Sequence, residues 1–187
     1  MLVFKKAGKN NTIQALEVAI AYAVDYKIGE LVVASTFGDT ALKAAELIKK
    51  TQLHGPRLIV VTHNYGFKGK PGLEMSKDIR EKLTNMGALV YTGTMPFRNI
   101  GTAIREGLGY SQQDLIANTL RLMGQGVKVC VEIALMAFDA GLLKGDDIVT
   151  VAGTVRGADT VCLVRPAPSN KLFNLKIRQI LAKPMDW

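Results

Sequence analysis

The sequence predicts a three-layer α/β protein with a mainly parallel, doubly wound sheet and an antiparallel strand at one edge. Two observations indicate this class. Short apolar runs are typical of parallel strands that are covered on both faces. Their alternation with segments of helical period favours right-handed crossovers between parallel neighbours. The runs lie at residues 31–34, 58–61, 88–91, 148–151 and 160–164. We expect one domain over residues 1–187.

The helices of the first half are predicted from their end signals. Asn11 with Gln14 resembles a capping box, which predicts the start of the first helix, and Gly29 is a suitable residue for its end. A second helix is predicted over residues 38–50. A third is predicted over residues 71–87, between a proline that can start a helix and a glycine that can end one.

Helices also dominate the middle of the chain, before a last strand of different character. Ser111 with Asp114 is a second capping-box pattern and predicts a helix start. An apolar stripe predicts another helix over residues 127–141. From about residue 173 to 182, apolar residues alternate with Lys and Arg. Such one-sided alternation is typical of a half-exposed strand, so we expect the antiparallel edge strand here.

Charge limits the classes of partner. The formal net charge is +8, and the basic residues are scattered along the chain. Scattered charge is typical of a solvated basic surface, while anionic ligands and nucleic acid are the alternatives. Because no aromatic-rich nucleic-acid motif accompanies the charge, we expect no specific nucleic-acid partner.

The apolar segments bear on location. No apolar run approaches the ~20 residues that a membrane span requires, and residues 1–10 lack the apolar core of a secretory signal. Cys130 and Cys162 lie in apolar stretches, and we interpret them as small buried hydrophobic residues rather than a disulfide or a metal pair. We therefore expect a cytoplasmic protein without a membrane partner.

Small, hydroxyl-bearing and glycine residues follow four of the predicted strands. These segments read STFGDT from residue 35, THNYGF from residue 62, TGTM from residue 92 and GTVRG from residue 153. In an open α/β sheet, ligands bind beyond the carboxyl ends of the strands, at a topological switch point. The sequence therefore predicts a small-molecule pocket at this edge of the sheet.

The segment after the first of these strands has the chemistry of an anion site. It leads into a helix whose first N–H groups lack internal partners, and both these groups and the helix dipole favour a phosphate. Gly38 allows close approach of the backbone, and Ser35, Thr36 and Thr40 supply hydroxyls. Simple capping of the helix by Asp39 or Thr40 is the alternative. The charge of Asp39 would repel a phosphate unless its side chain turns outward.

The segment after residue 152 offers a cation. Arg156 could form a bidentate pair with a phosphate, and Gly153 and Gly157 flank it. A salt bridge with Asp159, or a plain surface position, is the alternative and is favoured by the local sequence alone.

Three further polar residues have open interpretations. His63 could be an acid–base group or hydrogen-bond a ligand, whereas a structural role is the alternative. Glu132 could point into the pocket, although a solvent-facing helix position is favoured. We interpret His54 as a loop residue, and the two histidines give no metal-ligand spacing.

At these segments the sequence resembles the C-terminal α/β domain of pyruvate kinase. The similar stretches are ELVVASTFGDTALKAAE, RLIVVTHN and GDDIVTVAGTVRGADTVCLV, and the likeness covers about two-thirds of the chain. The resemblance implies a phosphate-binding effector pocket. It carries over to Ser35, Gly38, Thr40, Gly153, Arg156 and Thr160. Asp39 departs from the basic residue often found at its position, which puts a sugar bisphosphate in doubt. The sequence contains no barrel domain, so pyruvate kinase activity is not expected.

The whole sequence is more similar to the small stand-alone members of this superfamily, which are mostly archaeal. That resemblance implies flavin mononucleotide (FMN) as the bound molecule. The residues near the pocket are compatible with it, because Phe37, Tyr65, Phe67 and Met95 are available to pack a flat ring. Ordinary loop packing is the alternative for these four.

The sequence therefore predicts a binding domain for a phosphorylated small molecule, with FMN as the first candidate. A flavin-dependent oxidoreductase of unknown substrate is the alternative function. The analogy and the half-exposed last strand are compatible with a homo-oligomer. The candidate cofactor-binding residues are Ser35, Thr36, Phe37, Gly38, Thr40, His63, Asn64, Gly66, Thr94, Gly153, Thr154, Arg156, Gly157 and Thr160.

Overall fold

A computed structural model describes residues 1–51 and 55–187, so the predicted loop residue His54 lies outside the described part. The strands are β1 (Leu2–Lys6), β2 (Glu30–Ala34), β3 (Arg57–Val61), β4 (Leu89–Tyr91), β5 (Ile148–Ala152), β6 (Thr160–Arg165) and β7 (Lys176–Asp186). The helices are α1 (Thr12–Asp25), α2 (Asp39–Lys49), α3 (Lys77–Asn85), α4 (Asn99–Leu108), α5 (Gln112–Arg121) and α6 (Gln125–Asp139). Short 3-10 segments lie at Lys9–Asn11 and Ser169–Asn174.

The strands form one sheet in the order β1-β7-β6-β5-β2-β3-β4. The four neighbours β5, β2, β3 and β4 are parallel, which confirms the prediction for the strands near Leu31, Leu58, Leu89 and Ile148. Only β6 runs against the rest, and it pairs antiparallel with β5 and with β7. The sheet is therefore mainly parallel, as predicted.

The position of the last strand differs from the prediction. It does pair antiparallel with β6 on the edge side of the sheet, but β1 pairs with its outer side in parallel and takes the edge position. The sequence of β1 gives a weak signal for a strand because Phe4 is its one buried residue, and the chain around it is basic and exposed. Strand β7 therefore has the half-exposed pattern of an edge strand, although the short strand β1 pairs with its outer side.

Helices cover both faces of the sheet. Successive side chains of a strand point to opposite faces, and in β2 Leu31 and Val33 pack with residues of α1 and α2. Val32, between them, packs instead with residues of α6. The continuous apolar run in β2 therefore reflects burial on both sides. Among the described residues, no helix is long and apolar enough to cross a bilayer.

Two helix ends differ from their predictions. Asn11 lies in the helical region of the backbone and makes no side-chain cap; its amide instead donates to the carbonyl oxygen of Lys6 at 2.8 Å. The first helix ends at Asp25, and the residue with a left-handed backbone after it is Lys27, with φ 55°. Gly29 is therefore a linker to β2 rather than the helix end.

The third helix begins later than its proline suggests. It starts at Lys77, where the hydroxyl of Ser76 accepts a hydrogen bond from the N–H of Ile79. The prediction for α5 is confirmed, because Ser111 Oγ accepts from the N–H of Asp114 at 3.1 Å. A hydroxyl at the N-cap thus locates both helices better than a proline does.

The topology produces a crevice at β2. From β2 the chain proceeds through α2 to β3 on one side, whereas β5 flanks β2 on the other side. Helix α2 belongs to the core on one face, and α6, which leads into β5, belongs to the core on the opposite face. At its carboxyl end β5 continues to β6, its neighbour on the side away from β2, so the connections from the carboxyl ends of β2 and β5 run to opposite sides, which is the arrangement of a topological switch point.

Candidate functional site

A cleft lies at this switch point and consists of two adjoining chambers. The first, here the loop chamber, has a volume of about 270 Å³ and is lined by the segments after β2 and β5, including Ser35–Phe37 and Val155–Gly157. The second, here the helix chamber, has a volume of about 210 Å³ and is lined mainly by residues of α4, α5 and α6. The residues that line both chambers are Ala34, Ser35, Thr36, His63, Arg98, Gln125 and Val129. Together the chambers approach the size of a typical ligand pocket.

The segment after β2 turns sharply at Gly38 to enter α2. Gly38 has φ 100°, and an added Cβ would lie 2.2 Å from Cγ2 of Ile79, so only glycine fits. The side chain of Ser35 accepts a hydrogen bond from the N–H of Ala41 at 3.3 Å. The helix is thus capped from the preceding segment, and not by the side chain of Asp39 or Thr40 as the alternative supposed. The first turn of α2, through Asp39 and Thr40, lines the loop chamber.

Arg156 brings the second segment to the first. It lies in a tight turn in which Val155 and Gly157 have φ 61° and 75°. Its guanidinium carbon is 4.5 Å from the centre of the Phe37 ring, and its Nη1 is 3.8 Å from Oδ2 of Asp39. The side chains of Arg156 and Asp39 are both mostly exposed. The two segments therefore meet at the mouth of the loop chamber.

Asp159 supports this turn from behind and does not pair with Arg156. It is fully buried, and its carboxylate accepts hydrogen bonds from the N–H groups of Gly8 and Thr154 at 2.9 and 3.1 Å. The hydroxyl of Thr160 donates to the same carboxylate at 2.8 Å. The interpretation of Asp159 as the salt-bridge partner of Arg156 is wrong, because its carboxylate is enclosed by these donors. A glycine is required at position 153, because an added Cβ there would lie 2.4 Å from the carbonyl oxygen of Gly157.

His63 is held in a fixed orientation at the boundary of the chambers. Its Nδ1 lies 2.6 Å from Oε2 of Glu74, and its Nε2 lies 3.4 Å from the hydroxyl of Thr36. Its ring stacks on Phe67 with 3.9 Å between ring centres. An ionised Glu74 accepts a hydrogen bond from Nδ1–H of His63, so Nε2 is the ring nitrogen left for a ligand in the cleft.

Glu74 remains a carboxylate in this arrangement. Burial alone would raise the pKa of Glu74, but hydrogen bonds from His63 and Lys68 outweigh burial and hold that pKa below its ordinary value. Its side chain is only 11% exposed. Sequence reasoning missed Glu74, which lies outside any recognisable motif. Its partner His63 is 11 residues earlier in the chain, and only the fold of the intervening loop joins them.

Several other predicted site residues do not line either chamber. Asn64, Gly66, Thr94, Thr154 and Thr160 line neither of them, and Gly38 supports the loop chamber without lining it. Thr94 is exposed. Within residues 1–51 and 55–187, the side-chain oxygens of Asn64 and Thr154 are buried without a hydrogen-bond partner.

Of the four residues considered for packing a flat ring, three line the cleft. Phe37 and Phe67 line the loop chamber, and Met95 lines the helix chamber. Tyr65 lines neither chamber and is 61% exposed. Cations lie against both phenylalanine rings, since Arg98 is 4.6 Å from the centre of Phe67.

The helix chamber was not foreseen, and Glu132 is the clearest difference. This residue is 1% exposed, so the solvent-facing position favoured from sequence is wrong. Its carboxylate accepts a hydrogen bond from the N–H of Phe97 at 2.9 Å and pairs with Lys128 on the same helix. The spacing of Lys128 and Glu132 is that of an ordinary surface pair. Glu132 is buried because α5 and the segment around Phe97 pack over α6.

No known family model matches the chain. The resemblance to the C-terminal domain of pyruvate kinase therefore rests on the sequence motifs alone.

Proposed function

We propose that the protein binds a phosphorylated small molecule in the loop chamber, with FMN as the first candidate. The observation that carries the proposal is the convergence of two segments on one chamber. The segment over Ser35–Thr40 and the segment over Gly153–Gly157 follow strands that are parallel neighbours, and both line this chamber. From sequence each segment was a candidate phosphate site, beside helix capping for the first and a salt bridge or surface position for the second.

The chemistry of the chamber suits a phosphate. The first turn of α2 contributes the positive end of a helix dipole, and Gly38 keeps side-chain atoms away from the turn. Arg156 supplies a charge that is 61% exposed and paired only loosely with Asp39, so a phosphate can compete for it. Asp39 also lines this chamber, but its carboxylate is 71% exposed and lies toward Arg156 at the mouth, so water and that guanidinium reduce its repulsion of a phosphate.

The walls of the chamber suit a flat, partly apolar group next to that phosphate. Phe37 and Phe67 both line the chamber. The cations over these rings, Arg156 and Arg98, belong to exposed side chains that can move aside for a ring or stack on it. The isoalloxazine and phosphate of FMN match these two features.

The proposal is tested by loading the purified protein with FMN and removing free ligand by gel filtration. We expect flavin to coelute with the protein in near-stoichiometric amount, as read from the visible absorption spectrum. Riboflavin, which lacks the phosphate, is the matched control and is expected to be lost on the column. Absence of retained FMN at micromolar protein concentration would remove FMN as the candidate.

A second candidate function, a flavin-dependent oxidoreductase, is favoured by the pair of His63 and Glu74. An imidazole whose orientation is fixed by a carboxylate can hold or release a proton toward a ligand in the cleft. The flavin would supply the redox chemistry when bound. The test is steady-state oxidation of NADH or NADPH by the FMN-loaded protein with a soluble electron acceptor. His63→Gln is expected to lower such turnover without releasing the flavin.

A further inference from the structure

We infer that the helix chamber is a second binding site for a dianionic phosphate group. Four cationic side chains line this chamber, namely Arg98, Arg105, Arg121 and Lys128, against the two carboxylates Asp114 and Glu132. The formal excess of two positive charges would be balanced by the −2 charge of a phosphate dianion. A single carboxylate would balance only one of these charges. Arg98 lines both chambers, but of the two only the helix chamber is lined by Arg105, Arg121 and Lys128, and only the loop chamber by Arg156, so the inference does not depend on the proposed function.

The pairing of these charges shows which of them are available. Arg105 lies 3.0 Å from both carboxylate oxygens of Asp114, and Lys128 pairs with Glu132. Within the described part of the chain, Arg98 and Arg121 form no ion pair.

Arg121 is held by neutral groups. Its Nε donates to Oε1 of Gln125 and its Nη1 donates to Oδ1 of Asn118, each at 2.7 Å. Amide oxygens fix the orientation of a guanidinium without neutralising it, and Asp114, the carboxylate that the charge of Arg121 also affects, is already paired with Arg105. Such a preorganised cation in a concave site is what recognition of a phosphate requires.

The buried wall of the helix chamber contains the Lys128–Glu132 pair and the N-terminal end of α6. The side chain of Lys128 is 5% exposed and that of Glu132 is 1% exposed, so this pair lies in a largely water-free wall. Lys128 and Gln125 lie in the first turns of α6, a helix of 15 residues whose N-terminal end adds a partial positive charge. An anion in the chamber would therefore meet a positive field from side chains and backbone together.

The pKa of Lys128 agrees with this view. Burial is the largest influence and lowers the pKa of Lys128, while the charge of Glu132 raises it. The positive charges of Arg121 and Arg98 lower that pKa further, so the cations repel one another. If the Lys128–Glu132 pair served only in packing, there would be no reason for Arg98 and Arg121 to lie near it. A bound phosphate would relieve the repulsion among these cations and would explain why both arginines are there.

The test is a titration of ¹⁵N-labelled protein with inorganic phosphate, followed by NMR at constant ionic strength with sodium chloride as the balancing salt. We expect saturable shifts in the backbone amides of Lys128, Glu132 and Ile133, which line the helix chamber and not the loop chamber. Arg121→Gln should weaken this binding at least about tenfold, and Arg121→Lys should weaken it less because it keeps the charge. Arg156→Ala is the matched control and should leave these shifts unchanged.

The outcomes separate the two sites. Saturable shifts at Lys128, Glu132 and Ile133 that depend on Arg121 support the inference, even if the amides of Asp39 and Thr40 do not respond and the proposed function fails. Amides of α6 that respond to phosphate no more than to chloride would overturn it. So would an unchanged affinity in Arg121→Gln, a variant whose spectrum also reports whether it is folded.

Discussion

Arg156 and Asp39 face each other across the mouth of the loop chamber, with 3.8 Å between Nη1 and Oδ2. Both side chains are more than half exposed, so water and salt screen their attraction. Exposed pairs of this kind contribute about 0.2–1 kcal/mol. The pair therefore holds the two segments together only weakly and leaves the guanidinium open to competition from a phosphate.

Removal of the competing carboxylate should strengthen ligand binding. We expect Asp39→Asn to tighten FMN binding by about twofold to fivefold at low salt, because Arg156 no longer has to leave a partner. This gain in FMN affinity should shrink in about 0.5 M sodium chloride, where the Debye length falls to a few ångströms. Quenching of flavin fluorescence measures both affinities. Weaker binding by Asp39→Asn would indicate that the carboxylate contacts the ligand instead.

Gly38 should be needed for the backbone of the loop chamber. Its φ of 100° is strained for any other residue, and a Cβ would meet Ile79, so we expect Gly38→Ala to lower the free energy of unfolding by about 1–3 kcal/mol. Gly107→Ala is the control, since Gly107 lies in α4 with nothing within 4 Å of an added Cβ. That control should be neutral or raise stability by up to about 1 kcal/mol. Urea denaturation compares them, and equal stabilities would contradict the role given to Gly38.

The pair of Glu74 and His63 should make stability depend on pH. The pKa of Glu74 is held below its ordinary value of 4.5, so the folded state binds fewer protons there than the unfolded state. The contribution is fully present above pH 4.5 and is lost as the pH falls through the lowered pKa. Glu74→Gln should therefore show a shallower loss of stability below that pH than the wild type. Urea denaturation at a series of pH values measures it, and parallel curves would refute the assignment.

The buried pair in α6 should behave as a unit. Glu132→Ala leaves the ammonium of Lys128 buried without its partner, and we expect a loss of about 3–5 kcal/mol. Replacing both residues together, as in Lys128→Met with Glu132→Leu, should recover most of that loss because no charge remains unpaired. Chemical denaturation of the single and double variants completes the cycle. Additive losses in the double variant would show that the two side chains act separately.

The central strands and the two loop-chamber segments could be predicted because their signals are local. A strand covered on both faces is a continuous apolar run, as in β2 and β5, and parallel strands bring their carboxyl ends to one edge. The sequence alone therefore predicts that Ser35 and Arg156 lie in one region.

The residues that were missed depend on distant contacts. Phe4 is the single buried residue of β1, so the edge strand has no pattern of its own. Glu74 acquires its role only when the loop after β3 folds back onto His63. Lys128 and Glu132 have the spacing of a solvated surface pair, and their burial follows from how α5 and the Phe97 segment pack.

The most direct test of phosphate recognition is a titration of FMN and riboflavin with wild-type protein and Arg156→Ala. A charge-assisted contact is worth about 1.5–3 kcal/mol when it is lost from a desolvated site. We therefore expect Arg156→Ala to weaken FMN binding by about tenfold to a hundredfold, while riboflavin binding hardly changes. Equal losses for both ligands would contradict the account, because Arg156 would then not read the phosphate.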